Sequence, residues 1–143
     1  MNTLCDLFRR RVAESPQRVA VHHLGRDWTY EQIARQAGAV ATWLRAEGLR
    51  RGDRVALLLP NSVEYVACYL GILQAGGIVV AMNPDTTPGE LVVTLGHSTP
   101  VAVVVGDKAG QALAEAAREL NSIRLVAYVG TKGVRNEWHC RLV

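Results

Sequence analysis

Aromatic side chains are scarce in this sequence: one phenylalanine, three tryptophans and four tyrosines, 6% of 143 residues. A nucleic-acid surface ordinarily needs a basic face interleaved with aromatics. Here the basic residues are scattered, apart from Arg9-Arg10-Arg11 and Arg50-Arg51, and the first run spreads round a helix as a solvated face. The net charge of +3 and pI near 9.0 therefore do not imply a nucleic-acid partner. Charged residues are also few, at 20% against the usual quarter or so, while hydrophobic residues reach 49% and the mean hydropathy is +0.08. That balance is apolar for a free-standing domain and suits a piece of something larger. Cysteines number three, Cys5, Cys68 and Cys140, an odd set without close pairing, as expected in a reducing, cytoplasmic setting. No signal peptide is expected, since Met1 to Phe8 is too short and carries Asp6.

One uncharged run, between Glu64 and Asp85, has the length of a membrane span, for which about 20 residues suffice. Gln74 and Gly76-Gly77 interrupt it and Asn83-Pro84 close it, so a buried helix followed by a buried strand is the better reading. The same run holds the centre of the chain. Val55-Ala56-Leu57-Leu58-Leu59 is apolar at every position, the pattern of a strand covered on both faces of a parallel sheet. Pro60 ends that strand. Asn61, with Glu64 three residues on, predicts a capping box that opens a helix through Val63, Val66, Ala67, Leu70 and Leu73. Gly76-Gly77 ends the helix and Ile78 to Met82 is a second apolar strand. Strand, crossover helix and strand should form a right-handed unit.

Elsewhere the spacing predicts an amphipathic helix over Thr3 to Glu14, with Leu4, Leu7, Phe8 and Val12 on one face. Arg18 to His23 and Trp28 to Tyr30 read as a hairpin around Gly25. Thr29, with Gln32, should cap a helix that carries Ile33, Ala37, Val40 and Leu44 and ends at Gly48. Thr87-Pro88-Gly89-Glu90 is a further capping box, with Leu91 and Leu95 inward and Thr99-Pro100 as the stop. Val101 to Val105 is a strand, Ala109 to Leu120 a helix with Leu113, Ala116, Ala117 and Leu120 inward, and Arg124 to Val129 the last strand. Alternating strands and helices give an α/β fold with a mainly parallel sheet. From Thr131 to Val143 no period is visible; the segment is expected to stand apart from the core, either disordered or foreign to the rest, as out-of-frame read-through would be.

Several segments taken together resemble a known family: Thr29-Tyr30, Gly52-Asp53-Arg54-Val55-Ala56, Asn61, Ala75-Gly76-Gly77 and Asn83-Pro84, in this order and spacing. The sequence is similar to the N-terminal part of the AMP-forming adenylate-forming enzymes, which include acyl- and aryl-CoA synthetases, luciferases and nonribosomal-peptide adenylation domains. The resemblance begins near Leu7 and fades near Gly130, so residues 1–130 are expected to be a partial N-terminal domain and 131–143 an atypical tail. Asn83 before Pro84 leans towards fatty-acid and aryl-acid CoA ligases, because the peptide-synthetase domains tend to carry Asp there. The resemblance implies that a full-length parent uses ATP, Mg²⁺, a carboxylic acid and coenzyme A to make an acyl-adenylate and pass the acyl group to a thiol.

That chemistry needs a cation and backbone N–H groups around the ATP phosphates. The family's Ser/Thr/Gly-rich loop ending in Lys is not found in these residues. Gly130-Thr131-Lys132-Gly133 has similar residue types but lacks the length of that loop and of G-x-x-x-x-G-K-[ST], and no G-x-G-x-x-G is present. Cys68, in an apolar helix, reads as core; His22-His23 and His139-Cys140 lack the further ligands of a metal site; His97 ends a helix, where partial positive charge is favoured; Glu115 and Glu119 read as a solvated face. Asn61, Tyr65 and Tyr69 are the positions near which a family substrate would pass, but a helix cap at Asn61 and packing of both tyrosines is the favoured reading. No catalytic, cofactor-binding or metal-binding residue is therefore expected, and the chain alone is expected to be inactive. Two competing readings stay open: a truncated non-catalytic module that binds a protein partner, and a small nucleotide-binding α/β protein. A sheet cut from its covering helices should also leave exposed apolar surface through which the chain self-associates.

Overall fold

The structure is a computed structural model and describes residues 3–130 and 139–142. In chain order the elements are α1 (Leu4–Glu14), β1 (Val19–His23), β2 (Arg26–Thr29), α2 (Tyr30–Ala46), β3 (Arg54–Leu58), α3 (Val63–Gln74), β4 (Ile78–Ala81), α4 (Pro88–Ser98), β5 (Ala102–Val105), α5 (Asp107–Ala116), a 3-10 turn (Ala117–Glu119), β6 (Leu125–Tyr128) and β7 (His139–Leu142). The strands β4, β3, β5 and β6 lie parallel in that spatial order, and β1 and β2 form a separate antiparallel hairpin.

The apolar run that opens at Val55 fixes the layering. Alternate residues of a strand face opposite sides. Val55, Leu57 and Leu59 join Val104 and Ala127 under α2 and α3, where Val40, Leu44, Cys68 and Ile72 close the layer. Ala56 and Leu58 join Val103, Val105 and Val126 on the other side, under Leu91, Leu95, Leu113 and Ala116 of α4 and α5. Strands β3, β5 and β6 are thus covered on both faces, as the sequence predicts for β3 and β5. Helices α2 and α3 approach closely because Gly71 has no side chain: a Cβ there would lie 2.6 Å from Val40 Cβ and 2.9 Å from the Ala37 carbonyl oxygen.

Helix starts follow the expected caps at two places. Thr29 and Gln32 bond reciprocally, as do Thr87 and Glu90, and a further box joins Thr3 to Asp6. The backbone N–H of Thr87, then its hydroxyl, holds the Glu90 carboxyl below the usual range, and Thr3 does the same for Asp6. Asp53 accepts from the backbone N–H of Arg50 at 2.8 Å and from Arg124 at 3.1 Å, so the Gly52-Asp53 pair is a turn lock ahead of β3. Gly52 needs its φ of +87°, a region open to glycine.

Several expectations are corrected. The helix after Pro60 is capped by Ser62 rather than Asn61: Ser62 Oγ accepts from Tyr65 N at 3.1 Å. The second apolar strand, β4, is not buried on both faces. It is the outer strand of the sheet, and Ile78 is 49% exposed. In α1 no residue is buried, and Leu4 and Leu7 stand half exposed while Phe8 reaches the Tyr30 ring at a 6.0 Å centroid separation. Ala117 is exposed, since α5 gives way to the 3-10 turn there. Lastly, His139–Leu142 do not stand apart from the core: they pair antiparallel with β6, from Tyr128↔His139 to Leu125↔Leu142. Residue 130 therefore does not mark the end of the sheet. Residues 131–138 and Val143 lie outside the described residues. Among the described residues no helix is long and apolar enough to cross a membrane.

Candidate functional site

Parallel strands end together, and the crevice beyond their carboxyl ends is where open α/β sheets bind ligands. Here β3 and β4 run side by side, Leu57 opposite Ala81. Past them the chain turns away at Pro60 and at Pro84. The two departures enclose a cavity of about 420 Å³ lined by Leu59, Pro60, Asn61, Tyr65, Ala81, Met82, Asn83 and Pro84.

The polar groups there are neutral. Asn61, released from capping by Ser62, is exposed and has no side-chain partner among the described residues. Asn83 Oδ1 accepts from Asp85 N at 2.9 Å, which fixes the turn and leaves its amide N–H groups for a ligand. Tyr65 stands half-buried on the first turn of α3, its ring stacked on Tyr69 at 6.2 Å and 29°. Tyr69 itself packs on the core. The lining contains no carboxylate, cation, thiol or imidazole. Such a cleft can hold and orient an apolar or neutral polar group through two amides, a phenol and a methionine.

Of the sequence candidates, Asn61 and Tyr65 meet in this cavity and Tyr69 supports it from behind. Met82 and Asn83 were missed as lining residues; Asn83-Pro84 stood out in the sequence as part of the family resemblance and as the close of the uncharged run. Cys68 is buried, and burial, then the charge of Glu64, pushes its thiol far up, away from reactivity. His22 Nδ1 lies 2.6 Å from Asp27 Oδ1 in an exposed pair on the hairpin. His97 and Glu115 are exposed on separate helices, and Glu119 falls in the 3-10 turn, so the two glutamates do not share a helix. The backbone of His139-Cys140 is in β7, and Thr131-Lys132-Gly133 lie outside the described residues. Among the described residues no three His, Cys, Asp or Glu side chains gather to hold a metal.

A model of the family described as AMP-binding enzyme matches residues 8–140. The chain belongs to the AMP-binding enzyme family. The match extends ten residues past the point where the resemblance fades in the sequence, and covers two residues of β7. A long-chain-fatty-acid–CoA ligase of Haemophilus influenzae is 41% identical over 104 residues, which are 72% of this chain and 18% of that protein. The N-terminal domain of FACL13 from Mycobacterium tuberculosis superimposes with a TM-score of 0.82 at 26% identity, over 92% of this chain and 34% of that one. The anthranilate CoA ligase AuaEII, solved with anthranoyl-AMP, gives a TM-score of 0.85 at 23% identity, over 94% of this chain and 26% of that one; this likeness shows the fold alone. The chain thus spans under a fifth of the length of the curated relative.

The exchange of Ser62 for Asn61 as cap has a measurable consequence. Ser62→Ala is expected to lower stability by about 1 kcal/mol. Asn61→Ala is expected to leave the unfolding midpoint unchanged, since its side chain has no partner among the described residues. A denaturant titration of both variants checks this, and equal losses would return the cap to Asn61.

Proposed function

We propose that this chain is an N-terminal portion of an AMP-forming carboxylic acid–CoA (thiol) ligase, a cytoplasmic enzyme that activates an acid with ATP as the acyl-adenylate. The observation that carries the reading is the 41% identity to a long-chain-fatty-acid–CoA ligase through the β3-α3-β4 region. In this reading residues 1–130 are the partial ligase domain, with β7 added at the edge of its sheet. The chain supplies scaffold and one neutral wall of a cleft, formed by Asn61, Tyr65, Met82 and Asn83.

ATP, Mg²⁺ and coenzyme A belong to the full-length parent. The cavity at the ends of β3 and β4 does not fit them: it offers no cation for phosphate and no carboxylate for Mg²⁺. No chemical step is assigned to this chain. Acid-dependent ATP–pyrophosphate exchange tests the point. The isolated chain, with a panel of fatty and aryl acids, is expected to give none above blank; exchange by this chain alone would overturn the assignment.

One observation favours a second reading, a non-catalytic module that binds a protein. The outer strand β4 leaves Ile78 half exposed, and Leu4 and Leu7 on α1 are equally open. Such surface calls for a cover, from the rest of the ligase in the first reading, or from a separate protein or a second copy in the other.

A further inference from the structure

The sequence holds two arginine clusters to which the ligase reading gives no role, Arg9-Arg10-Arg11 and Arg50-Arg51. The fold brings one member of each together. A cavity of about 610 Å³ lies at the end of the sheet opposite the candidate site, where the chain enters β3 and β4. Its lining includes Arg9 of α1, Arg45 of α2 and Arg51 of the turn before β3, together with the carboxyl end of α3, Leu73 to Gly77. No carboxylate lines it. Asp6 partly offsets the charge of Arg9, but Arg45 and Arg51 have no acid among the lining residues, and an anion between the arginines lowers their mutual repulsion.

The arginines are partly committed, and that sets their direction. Arg45 donates to the Gln74 carbonyl oxygen at the end of α3. Arg9 donates to Asp6 Oδ1 at 3.2 Å. Each guanidinium carries five N–H groups in a planar fork, so both keep donors to spare. The Arg51 side chain has no partner among the described residues, but its backbone position is fixed. Gly52 N donates to the Gly76 carbonyl oxygen at 2.9 Å. Gly76 lies so close that a Cβ on it would be 3.4 Å from Arg51 Cα. One free and two half-used planar forks can each offer paired N–H groups to two oxygens of a tetrahedral phosphate. The volume falls within the range of small-molecule sites.

We infer that this cavity binds a small, multiply charged phosphate, a diphosphate group or its ester, at a site separate from the cleft beyond β3 and β4. A lipid bilayer presents similar headgroups, but the three arginines line a concavity, which suits a soluble ligand better.

Calorimetric titration of the whole chain with sodium pyrophosphate at constant ionic strength tests the inference. Arg51→Gln removes the uncommitted fork and disturbs no side-chain bond among the described residues; its thermal midpoint should equal that of the unaltered chain. Arg118→Gln removes an equal charge from the 3-10 turn, away from the cavity. Pyrophosphate is expected to bind the unaltered chain and Arg118→Gln alike, and Arg51→Gln about tenfold more weakly or worse. Arg9→Gln should also weaken it. The inference is overturned by absence of binding, by equal weakening in Arg51→Gln and Arg118→Gln, or by binding to phosphatidylglycerol vesicles without binding to pyrophosphate. None of these results bears on ATP–pyrophosphate exchange, so the site and the ligase assignment stand or fall separately.

Discussion

Leu57→Ala and Leu58→Ala are each expected to destabilise the chain by about 2–5 kcal/mol. Both side chains are fully buried, yet they point into different layers: Leu57 packs under α2 and α3, Leu58 under α4 and α5. Truncation removes the transfer energy of the lost atoms and leaves a cavity that β3, held between two neighbours, cannot close. The pair of values is the informative result. A sheet covered on one face alone would make one substitution costly and its neighbour nearly free. Urea titration of each variant, with unchanged slope, supplies the comparison. A loss below about 1 kcal/mol at either position, where burial predicts several, would mean that one layer is missing in solution.

Gly71→Ala should also destabilise, by about 1–3 kcal/mol, although alanine is the better helix former by about 1 kcal/mol. The two effects oppose each other and the contact decides. The added methyl group would meet Val40 Cβ and Cγ1 at 2.6 Å, which a rotamer change could ease for Cγ1 alone. It would also meet the Ala37 carbonyl oxygen at 2.9 Å, which moves only with α2 itself. Gly38 in α2 is the control, because nothing lies within 4 Å of a Cβ there. Gly38→Ala is expected to raise stability by up to about 1 kcal/mol. Opposite signs at the two glycines, read from thermal unfolding, confirm the close approach of α2 and α3. A gain at both would place the helices farther apart.

These two regions were legible in the sequence to different degrees. The unbroken apolar run from Val55 to Leu59 was enough to predict a strand covered on both faces. Thr29 with Gln32 and Thr87 with Glu90 were enough to predict two helix starts, because each pattern serves one start only. After Pro60 the pattern is degenerate: Asn61 and Ser62 are both good caps, and the choice rests on the extended backbone at Ser62, φ −162°, which no local pattern reveals. The outer place of β4 was hidden for another reason. Ile78 to Met82 is as apolar as a central strand, and its exposure follows from the chain crossing over β3 to lay down β5 on the far side. The leucines of α1 show the same limit, since an amphipathic face indicates that something can be covered without saying what covers it. In the candidate site Asn61 and Tyr65 could be named because they follow a strand end. Asn83 could not be joined to them until parallel pairing set the ends of β3 and β4 side by side. The arginine cavity is less legible still, since its members lie in three separate segments between Arg9 and Arg51.

The central claim is that these residues are a working part of a ligase that is inactive alone. The most direct measurement is acid-dependent ATP–pyrophosphate exchange by a graft, in which the 104 matching residues of this chain replace their counterpart in the Haemophilus influenzae long-chain-fatty-acid–CoA ligase. The account predicts exchange by the graft and none by the isolated chain under the same conditions. Exchange by the isolated chain, or a soluble, cooperatively folded graft that gives none, would contradict it.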